Sequence, residues 1–121
     1  MRMVHVVRTL LAAAAAAALA WGAPAFAHHG WSGYEDEPEQ FTGEIREVQY
    51  GNPHVTIRLE AGEETWHVIL APPARMQGRG LPRDALAVGG TATIEAYRHQ
   101  SGRSELRAEW IQIGEKRTEL R

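Results

Sequence analysis

Cysteine does not occur anywhere in the 121 residues. Its absence excludes disulfide staples, a lipid-carrying cysteine at an export site, thiolate chemistry and iron–sulfur clusters. Any metal would be held by imidazole, carboxylate, backbone or a terminal amine, donors that suit copper, zinc or nickel. Serine is scarce, confined to Ser32, Ser101 and Ser104, and no Gly-x-Ser-x-Gly turn, nucleophile–base spacing or phosphate loop is present. A copper oxidase is the enzymatic reading left open, and it is not the favoured one.

A membrane-length apolar run is missing too. The stretch from Leu10 to Ala20 has 11 residues, whereas a spanning helix needs about 20. Arg2 and Arg8 lie before it and Ala25-Phe26-Ala27 after it, the three-zone layout of an export signal cut after Ala27. This predicts a periplasmic or secreted protein with no stable membrane insertion after cleavage. The remaining chain has 121 − 27 = 94 residues, one small domain. A basic excess is also absent: the signal removes two of the 13 basic residues and none of the 15 acidic ones, leaving 11 − 15 = −4. Nothing in that balance would neutralise phosphates, so a general nucleic-acid binder is excluded.

What the chain does have is short alternation. Residues 28–40 are polar and acidic around Pro38 and read as an extended arm. Phe41 to Tyr50 predicts a strand with Ile45 and Val48 inward if a bulge at Arg46-Glu47 resets the phase. His54 to Glu60 places Val55, Ile57 and Leu59 on one face, and Glu64 to Leu70 returns with Trp66, Val68 and Leu70 inward. With Gly62-Glu63 as a two-residue turn, Ile57 pairs with Val68 and Leu59 with Trp66. Pro73 to Gln77 suits a short helix, since proline is tolerated at a helix start. Thr91 to Arg98 forms a fourth strand with Ala92, Ile94 and Ala96 inward. Ser104 to Ile113 forms a fifth, carrying Leu106, Ala108, Ile111 and Ile113. Residues 115–121 read as a frayed tail.

Three strands, a helical insert and two strands predict an all-β domain over residues 41–114. The order is that of a five-stranded OB-like Greek-key barrel with a short helix between strands three and four. A simple sandwich or meander is the alternative. Trp66 and Trp110 are expected in the core, with Trp31 and Tyr34 pinning the arm to the barrel.

Histidine is the residue type whose placement asks for chemistry. Cleavage after Ala27 would give His28 a free amine, so amine and imidazole could close a chelate ring on one ion. An unperturbed amine near pKa 7.7–8.0 and an imidazole near about 6.5 are easily deprotonated by a metal. One more imidazole would give the nitrogen-rich set that Cu(II) prefers. In an OB-like barrel the loops leading to His54 and from His99 flank the ligand face, so His28, His29, His54 and His99 are the candidate metal ligands. A bland reading stands beside each: a solvated His-His end, a strand-opening His54 after Asn52-Pro53, and a loop residue at His99. His67 is expected opposite Arg58 as an ordinary surface residue. The terminal His28 resembles the histidine brace of exported copper chaperones and copper monooxygenases, and that likeness covers this residue alone.

His28-His29-Gly30, Asn52-Pro53-His54, Trp66, Arg79-Gly80-Leu81, Val88-Gly89, and Tyr97 with Ser101-Gly102 together resemble an uncharacterised family of small exported bacterial proteins. Gly30 stands where its members usually have serine. The family is a domain of unknown function, so the resemblance implies the motif set and no activity. The functional expectation is an exported soluble copper buffer or carrier whose partner is the metal ion and, beyond it, a periplasmic or envelope protein. The alternative is a non-catalytic OB-like module that binds a peptide, glycan or envelope protein.

Overall fold

The computed structural model describes residues 31–121. Its strands are β1 (Glu39–Gln49), β2 (Thr56–Ala61), β3 (Glu64–Ile69), β4 (Thr91–Arg98), β5 (Glu105–Ile113) and β6 (Lys116–Glu119). A short helix α1 (Pro73–Gly78) and a single 3-10 turn (Arg83–Ala85) lie between β3 and β4. The sheet runs in the order β3-β2-β1-β4-β5-β6, and a parallel pairing of β3 with β5 closes the first five strands into a barrel. This is the expected OB-like architecture, with one strand more than expected.

Alternation sets the hairpin. Ile57 faces Val68, Leu59 faces Trp66 and Arg58 faces His67, with Ala61 and Glu64 as the last pair. Gly62 takes φ +65° in the connecting turn, a conformation that costs glycine little because it lacks Cβ. The register of β1 against β2 shifts between Ile45 and Glu47, leaving Arg46 as the extra residue. That bulge keeps Ile45 buried and Val48 packed on the core, as the pattern required. β1 is long enough to serve two neighbours. Its first half pairs with β4 and its second half with β2.

The core is a single cluster that includes Ile45, Ile57, Val68, Ile94 and Leu106. Met76 of α1, Leu81 and Leu86 add apolar cover from the segment between β3 and β4. Pro73 occupies the first helical position, where its missing N–H costs nothing.

Three expectations are corrected. Residues 115–121 are not a frayed tail: β6 pairs with Trp110 to Ile113 of β5, and Leu120 belongs to the core. Segment KRTEL is polar at four of five positions, so alternation of Thr118 and Leu120 was too short a signal to read. Trp110 is buried but lies outside the core cluster. The register of β4 against β5 passes from Ala96 opposite Ala108 to Glu95 opposite Trp110, so Glu109 is a bulge and Trp110 turns outward. There Arg117 covers its ring at 4.2 Å and its indole N–H donates to Glu95 at 2.8 Å. The arm is also shorter than expected, because Glu39 and Gln40 already pair with β4.

Candidate metal site at the arm and the barrel face

His28 and His29 lie outside the described residues. The site is therefore built from what the arm does from Trp31 onward and from the histidines of the barrel.

Tyr34 is the arm's anchor. It forms an isolated antiparallel bridge with His99, and its ring meets the His99 ring edge-on at 5.1 Å. Backbone bonds run from Glu35 N–H to Arg98 O at 2.8 Å and from Gln100 N–H to Gly33 O at 2.8 Å. The Tyr34 hydroxyl donates to Glu105 at 2.6 Å, and Arg103 donates to the same carboxylate at 3.0 Å. Burial, reinforced by the Glu105 charge, pushes the Tyr34 hydroxyl up to about 12. Burial alone would raise Glu105, but the bonds from Tyr34 and Arg103 outweigh it and hold the carboxyl below its ordinary range.

The signs are opposite in pH. The folded state holds the Tyr34 proton more tightly, so that contribution is complete below the unfolded value of about 10 and is lost as pH rises through about 12. The Glu105 contribution is present above the unfolded carboxylate value and is lost as pH falls through its lowered folded value. Tyr34→Phe is expected to flatten the alkaline limb of the stability curve between about pH 10 and 12. Urea midpoints measured across that range check it. Parallel limbs for the two proteins would count against the Tyr34–Glu105 bond as the cause.

Trp31 carries the chain onto β5. Its ring is covered by the Arg107 guanidinium at 4.6 Å and the Arg121 guanidinium at 4.7 Å, and it meets Tyr97 edge-on at 5.7 Å. Arg107 also reaches His54, its Nη2 lying 3.4 Å from Nε2 of the imidazole. Burial and then the positive charges of Arg107 and Arg75 hold His54 below the ordinary histidine range. His54 is therefore neutral at neutral pH, the form in which imidazole binds a metal. Burial likewise lowers Arg107, and its Nε is buried without a hydrogen-bond partner among the described residues.

His54 follows a cis Asn52–Pro53 bond and opens a surface cleft of about 300 Å³ that Asn52, Pro53, Thr56, His67 and Ile69 also line. His67 stands opposite Arg58, as expected, yet it shares this cleft with His54. His99 is differently engaged. Its Nδ1 accepts the Ser101 N–H at 3.1 Å and pairs with the Ser101 hydroxyl at 2.8 Å, which organises the turn into β5. Its Nε2 faces Gly33 of the arm. The backbone of His99 bonds to Glu105 while the His54 ring meets Arg107, so the two histidines are served by different residues of β5. Among the described residues no three histidine, aspartate or glutamate side chains converge on one metal position.

Arg107 was missed in the sequence. Its neighbours Leu106 and Ala108 are core residues, so alternation gives it an outward face. Its role depends on where the arm runs, and no spacing rule supplies that path.

No curated protein matches the sequence significantly. The sequence does match one family along residues 15–107, well over half its length, and the chain belongs to it: the family of unknown function DUF6152.

Proposed function

We propose that the protein is an exported, soluble metal-binding protein, a buffer or carrier for copper, with zinc and nickel as the other ions its donors suit. Removal of residues 1–27 would free the His28 amine for chelation, and His54 would add an imidazole, with His29 and His99 as further donors. The observation that carries this reading is the double engagement of Arg107, which covers Trp31 and touches His54. From Trp31 back to His28 is three residues, a reach of roughly 10 Å. A tether of that length would allow a terminus at His28 to reach His54. A metal that takes Nε2 replaces the Arg107 contact at 3.4 Å, a distance at which that hydrogen bond is weak.

Cu(II) titration against a competing chelator tests the reading. Protein beginning at His28 is expected to bind about tenfold or more tightly than the same protein with its terminal amine acetylated, because acetylation removes the chelating amine. His54→Ala is expected to weaken binding as well. Equal affinity of the two termini would sink the proposal.

One observation favours a second reading. The cleft beside His54 lies on strands β2 and β3, the face with which OB-folds hold extended ligands. An interaction module for a peptide, glycan or envelope protein would use that cleft and would keep its partner in the presence of a metal chelator.

A further inference from the structure

We propose that Arg107 and His54 form a binding site for a carboxylate, carried either by a small organic acid or by the end of a peptide chain lying in the cleft. The site needs no metal and stands apart from the copper reading. Among the described residues every other arginine, and Lys116, donates to a carboxylate or carbonyl oxygen. Arg107 has no such acceptor among them. Its guanidinium makes instead the 3.4 Å approach of Nη2 to His54 Nε2. Glu105, two residues before it on β5, is held by Tyr34 and Arg103. Arg107 is half-buried, and its Nε is out of water without a partner among the described residues. A guanidinium so placed lacks the counter-charge that ordinarily offsets its desolvation. The missing partner is an anion.

Geometry and surroundings set the class of anion. Two nitrogens 3.4 Å apart can both donate to one oxygen lying about 2.8 Å from each. Arg107 would give an N–H from Nη2 and His54 one from Nε2, with the imidazole in the tautomer that carries its hydrogen there. The Arg75 charge also reaches His54, so the position is flanked by two cations. His54 walls the cleft of about 300 Å³, which Gln49, Asn52 and Thr56 line with amide and hydroxyl groups. Among the described residues no aspartate or glutamate lines it, and no tryptophan, tyrosine or phenylalanine does. An entering anion meets no like charge, whereas a flat ring finds no aromatic platform to stack on. A planar carboxylate matches the guanidinium fork, and the amides of the cleft can hold the chain behind it.

The experiment titrates protein stripped of metal on a chelating resin with three probes: acetate, acetyl-trialanine with a free C-terminal carboxylate, and the same peptide ending in an amide. Heteronuclear NMR follows the backbone amides and the arginine Nε–H groups. At least one of the two acids is expected to shift the Arg107 Nε–H and the amides around His54 to saturation, while the peptide amide leaves them in place. Tighter binding of the peptide acid than of acetate assigns the site to chain ends, and equal or tighter binding of acetate assigns it to free acids. Arg107→Gln is expected to weaken binding about tenfold or more, the loss of a charge-assisted bond. Arg107→Lys, which keeps the charge and loses the fork, is expected to fall between. Arg58→Gln, whose guanidinium is paired with Glu47, is expected to bind as wild type does. Thermal melts confirm that each variant is folded, and the comparison of acid with amide needs no variant at all. Equal shifts from acid and amide, no saturable shift from either acid, or undiminished binding in folded Arg107→Gln would overturn the proposal and leave the copper reading standing.

Discussion

Gly43→Ala is expected to lower the unfolding midpoint by about 10 °C or more. A Cβ at Gly43 would run into the carbonyl oxygen of Glu60, and would lie 2.7 Å from the Glu60 carbonyl carbon and 3.0 Å from the Ala61 Cα. All three are backbone atoms, so no side chain can rotate away. Gly43 sits where β1 stops pairing with β4 alone and begins pairing with β2: Gly43 faces Ala92, while Glu44 faces both Thr91 and Glu60. A glycine at such a corner lets two strands approach more closely than any side chain allows. Gly51→Ala is the control, because a Cβ there meets nothing within 4 Å. Thermal unfolding followed by circular dichroism decides the matter, and equal midpoints for the two variants would refute the close approach at Gly43.

Leu120→Ala is expected to cost about 2–4 kcal/mol, the range for removing a buried leucine and leaving a partial cavity. Leu120 is 2% exposed and packs into the same cluster as the barrel strands. Its N–H bonds to Glu109 O at 2.9 Å and its carbonyl accepts from Arg75 at 3.1 Å, so the backbone is held from both sides. Arg79 adds bonds to the carbonyls of Glu119 and Arg121 at 2.7 and 2.9 Å. The end of the chain is thereby tied to α1 and seals the barrel. Urea unfolding of Leu120→Ala against wild type gives the number, and a difference under about 0.5 kcal/mol would restore the frayed-tail reading.

Much of the barrel was legible because its signals are local. The Gly62 turn fixes the β2–β3 register, and inward positions two apart then match across it. The bulge at Arg46 was readable as a break in phase with apolar residues on either side. The bulge at Glu109 was not, because Trp110 is large and apolar and passes for a core residue until Glu95 and Arg117 are seen around it. β6 escaped for want of length. The site divides in the same way. His54 and the anchoring role of Trp31 and Tyr34 follow from composition and position. The use of His99 as a turn-organising acceptor and the joint contact of Arg107 with Trp31 and His54 were not legible. The first is local to the Ser101 turn, but the second arises when residues more than fifty positions apart are brought together, and no periodicity encodes that.

One edge of β5 serves two strands. Its residues Glu105 to Arg107 pair with β3 and its residues Trp110 to Ile113 pair with β6. The division has a bearing on self-association. Along most of that edge, the peptide groups which could template a neighbouring molecule are already engaged. The outward edge then passes to β6, four residues of which Lys116, Arg117 and Glu119 carry charge. Short, charged edges resist strand addition by other copies. A cysteine-free barrel with no covalent guard against partial opening thus presents other molecules with a repellent border in place of a sticky one.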